Sequence, residues 1–222
     1  MNIWNKWRHK VEKIAIFDVD YTITRKETLM ELYKYSLKEN KKNIIYIPRA
    51  LISGLLYVMK IFDEKRVKEC FLKFIENMNE KDLSEFTKRF YDNRLKNILY
   101  KDALEMMKKL KAQGYKIYLI SASPEFYLNH LYSIKEVDKI MGTKFHVNEG
   151  KFLRKMDGLN CKGEEKVKRL KQFLKEEKID VDFENSYMFS DSLSDKPLLD
   201  LVGRPYLINY KKKHKIKTLN WN

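Results

Sequence analysis

The chain has 222 residues, a length that suits one large domain or a core with a small insert. Hydrophobic residues make up 44% and aromatics 13%, enough for a packed core, which excludes a disordered class. The formal charge of +15 attracts polyanions such as nucleic acid, anionic lipid or phosphorylated metabolites, although the lysines are interleaved with Asp and Glu as on an ordinary solvated surface.

The first 13 residues lack the apolar run of a signal peptide. Cys70 and Cys161 make no disulfide framework and suit a reducing compartment, so a cytoplasmic location is expected. Residues 13–19 read as a short buried strand, a continuous apolar run that stops at polar residues. From 27 to 96 apolar residues recur at spacings of three and four, which predicts helices with no intervening strand. Within that stretch, "IIYIPRALISGLLYVMKIF" (44–62) is about long enough to span a bilayer, but Arg49 at its centre is costly in lipid. It reads as a buried or amphipathic helix, with a membrane-surface helix as the alternative.

Beyond residue 97 helix and strand patterns alternate. "KDALEMMKKLKAQG" (101–114) is an amphipathic helix closed by Gly114. A strand at 115–123, a helix opened by Pro124, strands around an Asn-Glu-Gly turn at 148–150, a helix at 163–178, a strand at 186–191, a helix at 193–203 and a last strand at 204–209 follow. The basic run "KKKHKIK" (211–217) reads as a solvated tail. This order predicts a three-layer α/β fold, a Rossmann-like parallel sheet with helices on both faces, and an inserted all-helical subdomain. Residues 1–26 and 97–222 form the core and 27–96 the insert.

Three of the predicted strands end in groups capable of chemistry, Asp18-Val19-Asp20-Tyr21-Thr22, Ser121-Ala122-Ser123 and Ser190-Asp191 with Asp195 beyond. Ligands of open α/β sheets bind outside the carboxyl ends of strands, so parallel, adjacent strands bring these groups to one crevice. Clustered carboxylates repel one another, and a divalent cation relieves that. Hard oxygen donors without His or Cys point to Mg²⁺. A carboxylate beside the cation and facing a phosphate is a candidate nucleophile, and a second one two residues on is within reach of the leaving oxygen. A lysine and a hydroxyl would hold the remaining phosphate oxygens. Lys166 is preferred over Lys162 and Lys168 because it falls in the first turn of its helix, near the strand ends.

"DVDYT" (18–22), "SAS" (121–123), "GEEKVKRL" (163–170) and "SDSLSDKPLL" (190–199) together resemble the haloacid dehalogenase superfamily, and more narrowly its phosphoserine phosphatase-like branch. The resemblance implies a phosphatase in which Asp18 is the nucleophile and Asp20 the general acid and base. Lys166 would steady the nucleophile and the phosphate, with Thr22 supporting the loop. Ser121 and Ala122 would bind phosphate, Asp18, Asp20 and Asp191 would hold Mg²⁺, and Asp195 would support the metal shell. The insert matches that branch's cap, which closes over substrate.

Glu27 lies where those enzymes read a substrate amino group, and equally where an acidic residue favours a helix start. Arg49 and Arg66 are candidates for a substrate carboxylate. The chain departs from the branch at Ala122, Ser123 and Pro124, where glycines are usual after the motif serine, and at Ser190 and Ser194. Glu27 and the resemblance together imply a small phosphorylated metabolite of the phosphoserine, phosphoethanolamine or phosphocholine type, and the departures bear on selectivity for phosphoserine. No specific nucleic-acid partner is expected, and weak contact with anionic lipid is allowed. The alternatives are a phosphatase of a lipid-linked phosphate, or a non-catalytic basic binding protein on the same fold.

Overall fold

Residues 11–222 are described by the computed structural model, so the extreme N-terminus, including His9 and the start of the expected core, lies outside the described residues. The first strand, β1 (Ile14–Phe17), is buried along its whole length. Its alternate side chains enter different layers: Ala15 and Phe17 join one apolar cluster, Ile14 and Ile16 the other. That division is the period-2 geometry of a strand covered on both faces, and it explains why the sequence shows a continuous apolar run rather than alternation.

Six further strands complete the sheet: β2 (Lys116–Pro124), β3 (Val137–Asn148), β4 (Lys151–Asp157), β5 (Tyr187–Ser190), β6 (Arg204–Ile208) and β7 (Lys217–Leu219). The order is β4-β3-β2-β1-β5-β6-β7, parallel throughout except for the antiparallel β3–β4 hairpin. The hairpin turns on Glu149 (φ 49°) and Gly150 (φ 69°). Positive φ at both central residues matches the twist of the flanking strands.

Between β1 and β2 the chain contributes α1 (Thr28–Glu39), α2 (Ile47–Val58), α3 (Glu64–Phe71), α4 (Glu80–Asn93) and α5 (Lys101–Ala112), with short 3-10 turns and no strand. After β2 come α6 (Glu125–Leu128), α7 (Glu164–Glu176) and α8 (Lys196–Leu199). Leu29, Leu32, Phe86 and Phe90 from α1 and α4 share one cluster with Met107 of α5 and the sheet face of Phe17 and Leu119. Leu170, Leu174 and Leu198 of α7 and α8 cover the opposite face. The layers are therefore helix, sheet, helix, as expected.

Three local expectations need correction. The helix at 124–134 is one turn of α-helix that passes into a 3-10 turn at Asn129–Ser133, and α8 is equally short. The basic run 211–217 is not simply a solvated tail. Its lysines are exposed, but the chain then forms β7 on the edge of the sheet and buries Trp221 against Phe17 and Phe189, at 6.4 and 5.7 Å between ring centroids. A three-residue strand preceded by lysines carries almost no apolar periodicity, and its pairing to β6 is what defines it. Lastly, of the two readings of 44–62 the buried one falls and the amphipathic one holds, in α2 at Ile47–Val58. Leu51, Ile52, Leu55 and Val58 face solvent, while Ala50 and Ser53 face the protein. Among the described residues no helix is long and apolar enough to cross a membrane. Both cysteines are buried free thiols, in keeping with the absence of a disulfide framework, and Cys161 belongs to the apolar cluster on the α7 and α8 side of the sheet.

Candidate active site

The neighbours β2, β1 and β5 end side by side, and that places the three motifs at one crevice of about 480 Å³. At the exit of β1, the Asp18 N–H donates to Phe189 O at 3.0 Å. The N–H groups of Thr22, Ile23 and Thr24 all converge on Val19 O. Tyr21 takes a left-handed φ of 56° to close this turn. Asp18 and Asp20 consequently both line the crevice, two residues apart in sequence.

Each carboxylate is held differently. Asp18 accepts from Lys166 Nζ at 2.6 Å and, more weakly, from the Thr22 hydroxyl at 3.4 Å. That hydroxyl in turn accepts the Asp191 N–H at 2.9 Å, so Thr22 ties the β1 loop to the β5 loop from behind the crevice. Asp20 accepts from the Thr28 N–H at the start of α1, at 2.7 Å, and from the Ser123 hydroxyl at 2.6 Å. The Thr28 hydroxyl meets Ser123 Oγ at 3.0 Å and Tyr127 Oη at 2.8 Å, so Asp20 is oriented by a buried network.

Gly163, at φ 55° and ψ −124°, leads the chain into α7, a conformation that favours glycine. Lys166 follows in the first turn. Its side chain is 2% exposed and its ammonium bridges Asp18 and Asp195, the latter at 2.7 Å. Asp195 also accepts from the Ser190 hydroxyl at 2.9 Å. Burial works against the Lys166 charge, but the two carboxylates outweigh it and raise its pKa. Burial pushes the Asp18 carboxyl up to about 7; Lys166 pulls it down, and Asp195 and Asp20 add to the rise. Burial, and then Asp195, lifts Asp191 to about 6. Lys162, the competing lysine, is 43% exposed and pairs with Glu64 at the rim.

Ser121 is buried, lines the crevice and accepts the Ser123 N–H at 3.1 Å. Ala122 lines it too, and its carbonyl accepts from Lys68 Nζ and from the Thr143 hydroxyl, both at 2.6 Å. Glu27 stands at a helix start and at the crevice at once. It caps α1 by accepting from Leu29 N and Met30 N, and its carboxyl lines the crevice, pushed up to about 7 by burial and then by Asp20.

Neither Arg49 nor Arg66 reaches the crevice. Arg66 lies over the Phe62 ring at 4.4 Å, facing away. Lys68 of α3 enters instead, its ammonium bonded to Ala122 O and to Asn160 Oδ1 at 2.8 Å, and burial lowers its pKa. Sequence reasoning missed Lys68, Ser123 and Thr28. Ser123 lay inside a motif already singled out, whereas nothing local distinguishes Lys68 from the other lysines of its helix. Away from the strand ends the crevice wall combines apolar side chains, Leu29, Met30, Tyr57, Val67 and Phe71, with Glu64 and Lys68 of α3 and with Lys162.

The donors suit a hard divalent cation. Asp18, buried, and Asp191, partly buried, line the crevice with Asp20; burial first, and then neighbouring carboxylates, raise the pKa of both Asp18 and Asp191, and bound Mg²⁺ would offset their charge. Among the described residues no three acidic, His or Cys side chains cluster tightly enough to hold a metal alone. A set of two carboxylates and the Asp20 backbone carbonyl does not require three.

The family model for haloacid dehalogenase-like hydrolases matches residues 15–200. A histidinol-phosphatase of Neisseria meningitidis serogroup C is 22% identical over 205 residues, 90% of this chain and 91% of its own. A solved protein of unknown function from Bordetella pertussis Tohama I superposes with a TM-score of 0.77 at 20% identity, covering 91% of this chain and 92% of that one. A phosphoserine phosphatase solved as a phospho-aspartyl intermediate analogue gives a TM-score of 0.61 at 19% identity, covering 91% and 88%. At these identities the structural likeness is one of fold.

Proposed function

The chain belongs to the haloacid dehalogenase-like hydrolase family, and from that premise we propose that it is a Mg²⁺-dependent phosphomonoester hydrolase working through an aspartyl phosphate on Asp18. The observation that carries the reading is the Lys166 ammonium held between Asp18 and Asp195, with Asp20 oriented independently two residues away. An ion pair built only for stability has no need of a second, separately oriented carboxylate facing the same crevice. The phosphatase relative and the phosphoserine phosphatase neighbour agree with the reaction class.

Asp18 attacks phosphorus in line, Lys166 keeping the carboxylate ionised and aimed. Asp20 gives its proton to the departing oxygen, and the Ser123 and Thr28 contacts hold it in position to do so. Asp20 then takes a proton from water, which cleaves the acyl phosphate and regenerates Asp18. Ser121 and Lys166 hold the phosphoryl oxygens. Asp18, Asp191 and the Asp20 carbonyl would hold Mg²⁺, which when bound supplies charge neutralisation of the phosphate. Asp195 anchors Lys166 as well as supporting the metal shell. Helices α1, α2 and α3 line the crevice's outer wall, and the helical stretch between β1 and α5 is assigned as the cap.

On the leaving-group side, Glu27 favours an amino group, as in phosphoserine, phosphoethanolamine or phosphocholine. Arg49 and Arg66 do not line the crevice, so the cation available there to a substrate carboxylate is Lys68 of α3 rather than either arginine. The test is phosphate release from a panel of phosphomonoesters, with Mg²⁺ and with EDTA, for the parent protein and Asp18→Asn. Turnover that needs Mg²⁺ and vanishes in the folded variant is the expected result. A variant as active as the parent would overturn the assignment.

A further inference from the structure

The helix α2 is amphipathic in the reverse of the usual sense. Its small residues, Ala50 and Ser53, are the ones buried against the protein. Ile44 just before it, Leu51, Ile52, Leu55, Val58 and Met59 form a stripe at helical spacing that is 58–77% exposed at every position. Such a stripe, covered by no side chain among the described residues, is far from the scattered exposed apolar residues of an ordinary surface.

The charges around the stripe indicate what covers it. From Lys41 to Phe62 the chain carries Lys41, Lys42, Arg49 and Lys60 and no acidic residue, and all four cations are exposed. At 100° per residue, Arg49 falls at the edge of the stripe rather than on it. A second copy of this chain would set these cations against their own kind. An apolar stripe rimmed by cations matches an anionic bilayer, whose head groups meet the cations while the stripe enters the head-group boundary. Twelve residues of helix are roughly 18 Å long, too short to span the hydrocarbon and long enough to lie in its surface.

The same helix reaches the crevice. Tyr57 of α2 lines it together with Val67 and Phe71 of α3, so the apolar wall of the crevice is continuous with the element that bears the stripe. The same crevice holds Asp18, Asp20, Asp191 and Lys166 at the strand ends, and Tyr57 Oη donates at 3.2 Å to Glu64, which pairs with Lys162 beside it. We propose that α2 docks the protein on an anionic bilayer surface and that the crevice takes its phosphomonoester from a lipid lying in that surface. The phosphate enters toward Asp18, and the adjoining apolar part of the lipid lies along Tyr57, Val67 and Phe71. The substrate half of this proposal rests on the phosphatase reading above; the docking half does not.

The test uses the full chain and the variant Leu51→Ser/Leu55→Ser/Val58→Ser, whose residues are exposed and outside the crevice. Flotation is measured with phosphatidylcholine vesicles containing about 30 mol% phosphatidylglycerol and with phosphatidylcholine alone. Hydrolysis is measured on p-nitrophenyl phosphate, on soluble phosphoethanolamine, and on phosphatidic acid carried in the anionic vesicles. The parent is expected to float with the anionic vesicles only, and the triple variant to lose at least about tenfold in binding. The variant should keep its p-nitrophenyl phosphate turnover and lose at least about tenfold on the vesicle-borne substrate.

Parent protein that stays unbound while hydrolysing soluble phosphoesters overturns the docking proposal and leaves the phosphatase reading standing. Vesicle binding without turnover of any phosphoester overturns the phosphatase reading, and the lipid-substrate half with it. A parent that is dimeric, a variant that is monomeric and no vesicle binding by either would identify the stripe as a protein interface and overturn the proposal.

Discussion

Replacing Lys166 by Met removes the ammonium and keeps nearly all of the side chain's length, so the loss reports charge rather than packing. Lys166 is 2% exposed and bridges Asp18 at 2.6 Å and Asp195 at 2.7 Å. Breaking a buried pair from one side strands its partners, at a cost of about 3–5 kcal/mol. Here two carboxylates are stranded, so the upper part of that range applies. The sign of the pH dependence follows from Asp18. Its folded pKa, about 7 with Lys166 present, rises further once the cation is gone. A carboxyl whose folded pKa exceeds its unfolded value binds more protons folded than unfolded, so stability falls as pH rises between the two values. In EDTA, urea unfolding of Lys166→Met should therefore show a larger loss at about pH 8 than at about pH 5.5. Lys162→Met is the control. Its ammonium is 43% exposed and its partner Glu64 31%, so its loss stays below about 1 kcal/mol. A Lys166→Met loss under about 1 kcal/mol at both pH values, or one matched by Lys162→Met, would refute the assignment of Lys166 as the buried counter-ion.

Three further outcomes are expected. Burial raises Asp18 and Glu27 to about 7 and Asp191 to about 6; in EDTA the melting temperature should therefore fall as pH rises from about 4 to about 8, and the increase on adding Mg²⁺ should grow over that window. A melting temperature that climbs through it in EDTA would contradict the geometry. Ser123→Ala removes the 2.6 Å hydrogen bond to Asp20 and should lower kcat about tenfold with little change in KM, and shift the pH profile of kcat; an unaltered profile would leave Ser123 without a positioning role. Trp221→Ala opens a cavity beside Phe17 and Phe189 and should cost about 3–5 kcal/mol by chemical denaturation, whereas a truly solvated tail would cost almost nothing.

The parts of the site legible in the sequence were those whose chemistry is encoded locally. Asp18, Asp20 and Thr22 stand at the end of an apolar run, and the tight turn onto Val19 O needs only their own backbone. Ser121 and Asp191 were legible for the same reason, each at the end of a strand-like segment, and Asp195 by its place in the motif that follows. Lys68 was not, because its role depends on α3 crossing to Ala122 and Asn160, 54 and 92 residues away in sequence. Arg49 and Arg66 were chosen by residue type within the right region, but helix phase turns both away from the crevice.

By itself, then, the sequence determined the succession of elements, the two-sided burial of β1 and the convergence of three motifs on one sheet edge, because periodicity and strand-end chemistry are local properties of the chain. Tertiary structure decided which direction each face points. Periodicity shows that Leu51, Leu55 and Val58 share a face of α2, but the close approach of Ala50 and Ser53 to the protein is what leaves that face to solvent. It also decided that Lys166, not Lys162, is buried between carboxylates. And it ordered the last residues as β7 with Trp221 in the core, since an edge strand is made by the partner it pairs with rather than by its own composition.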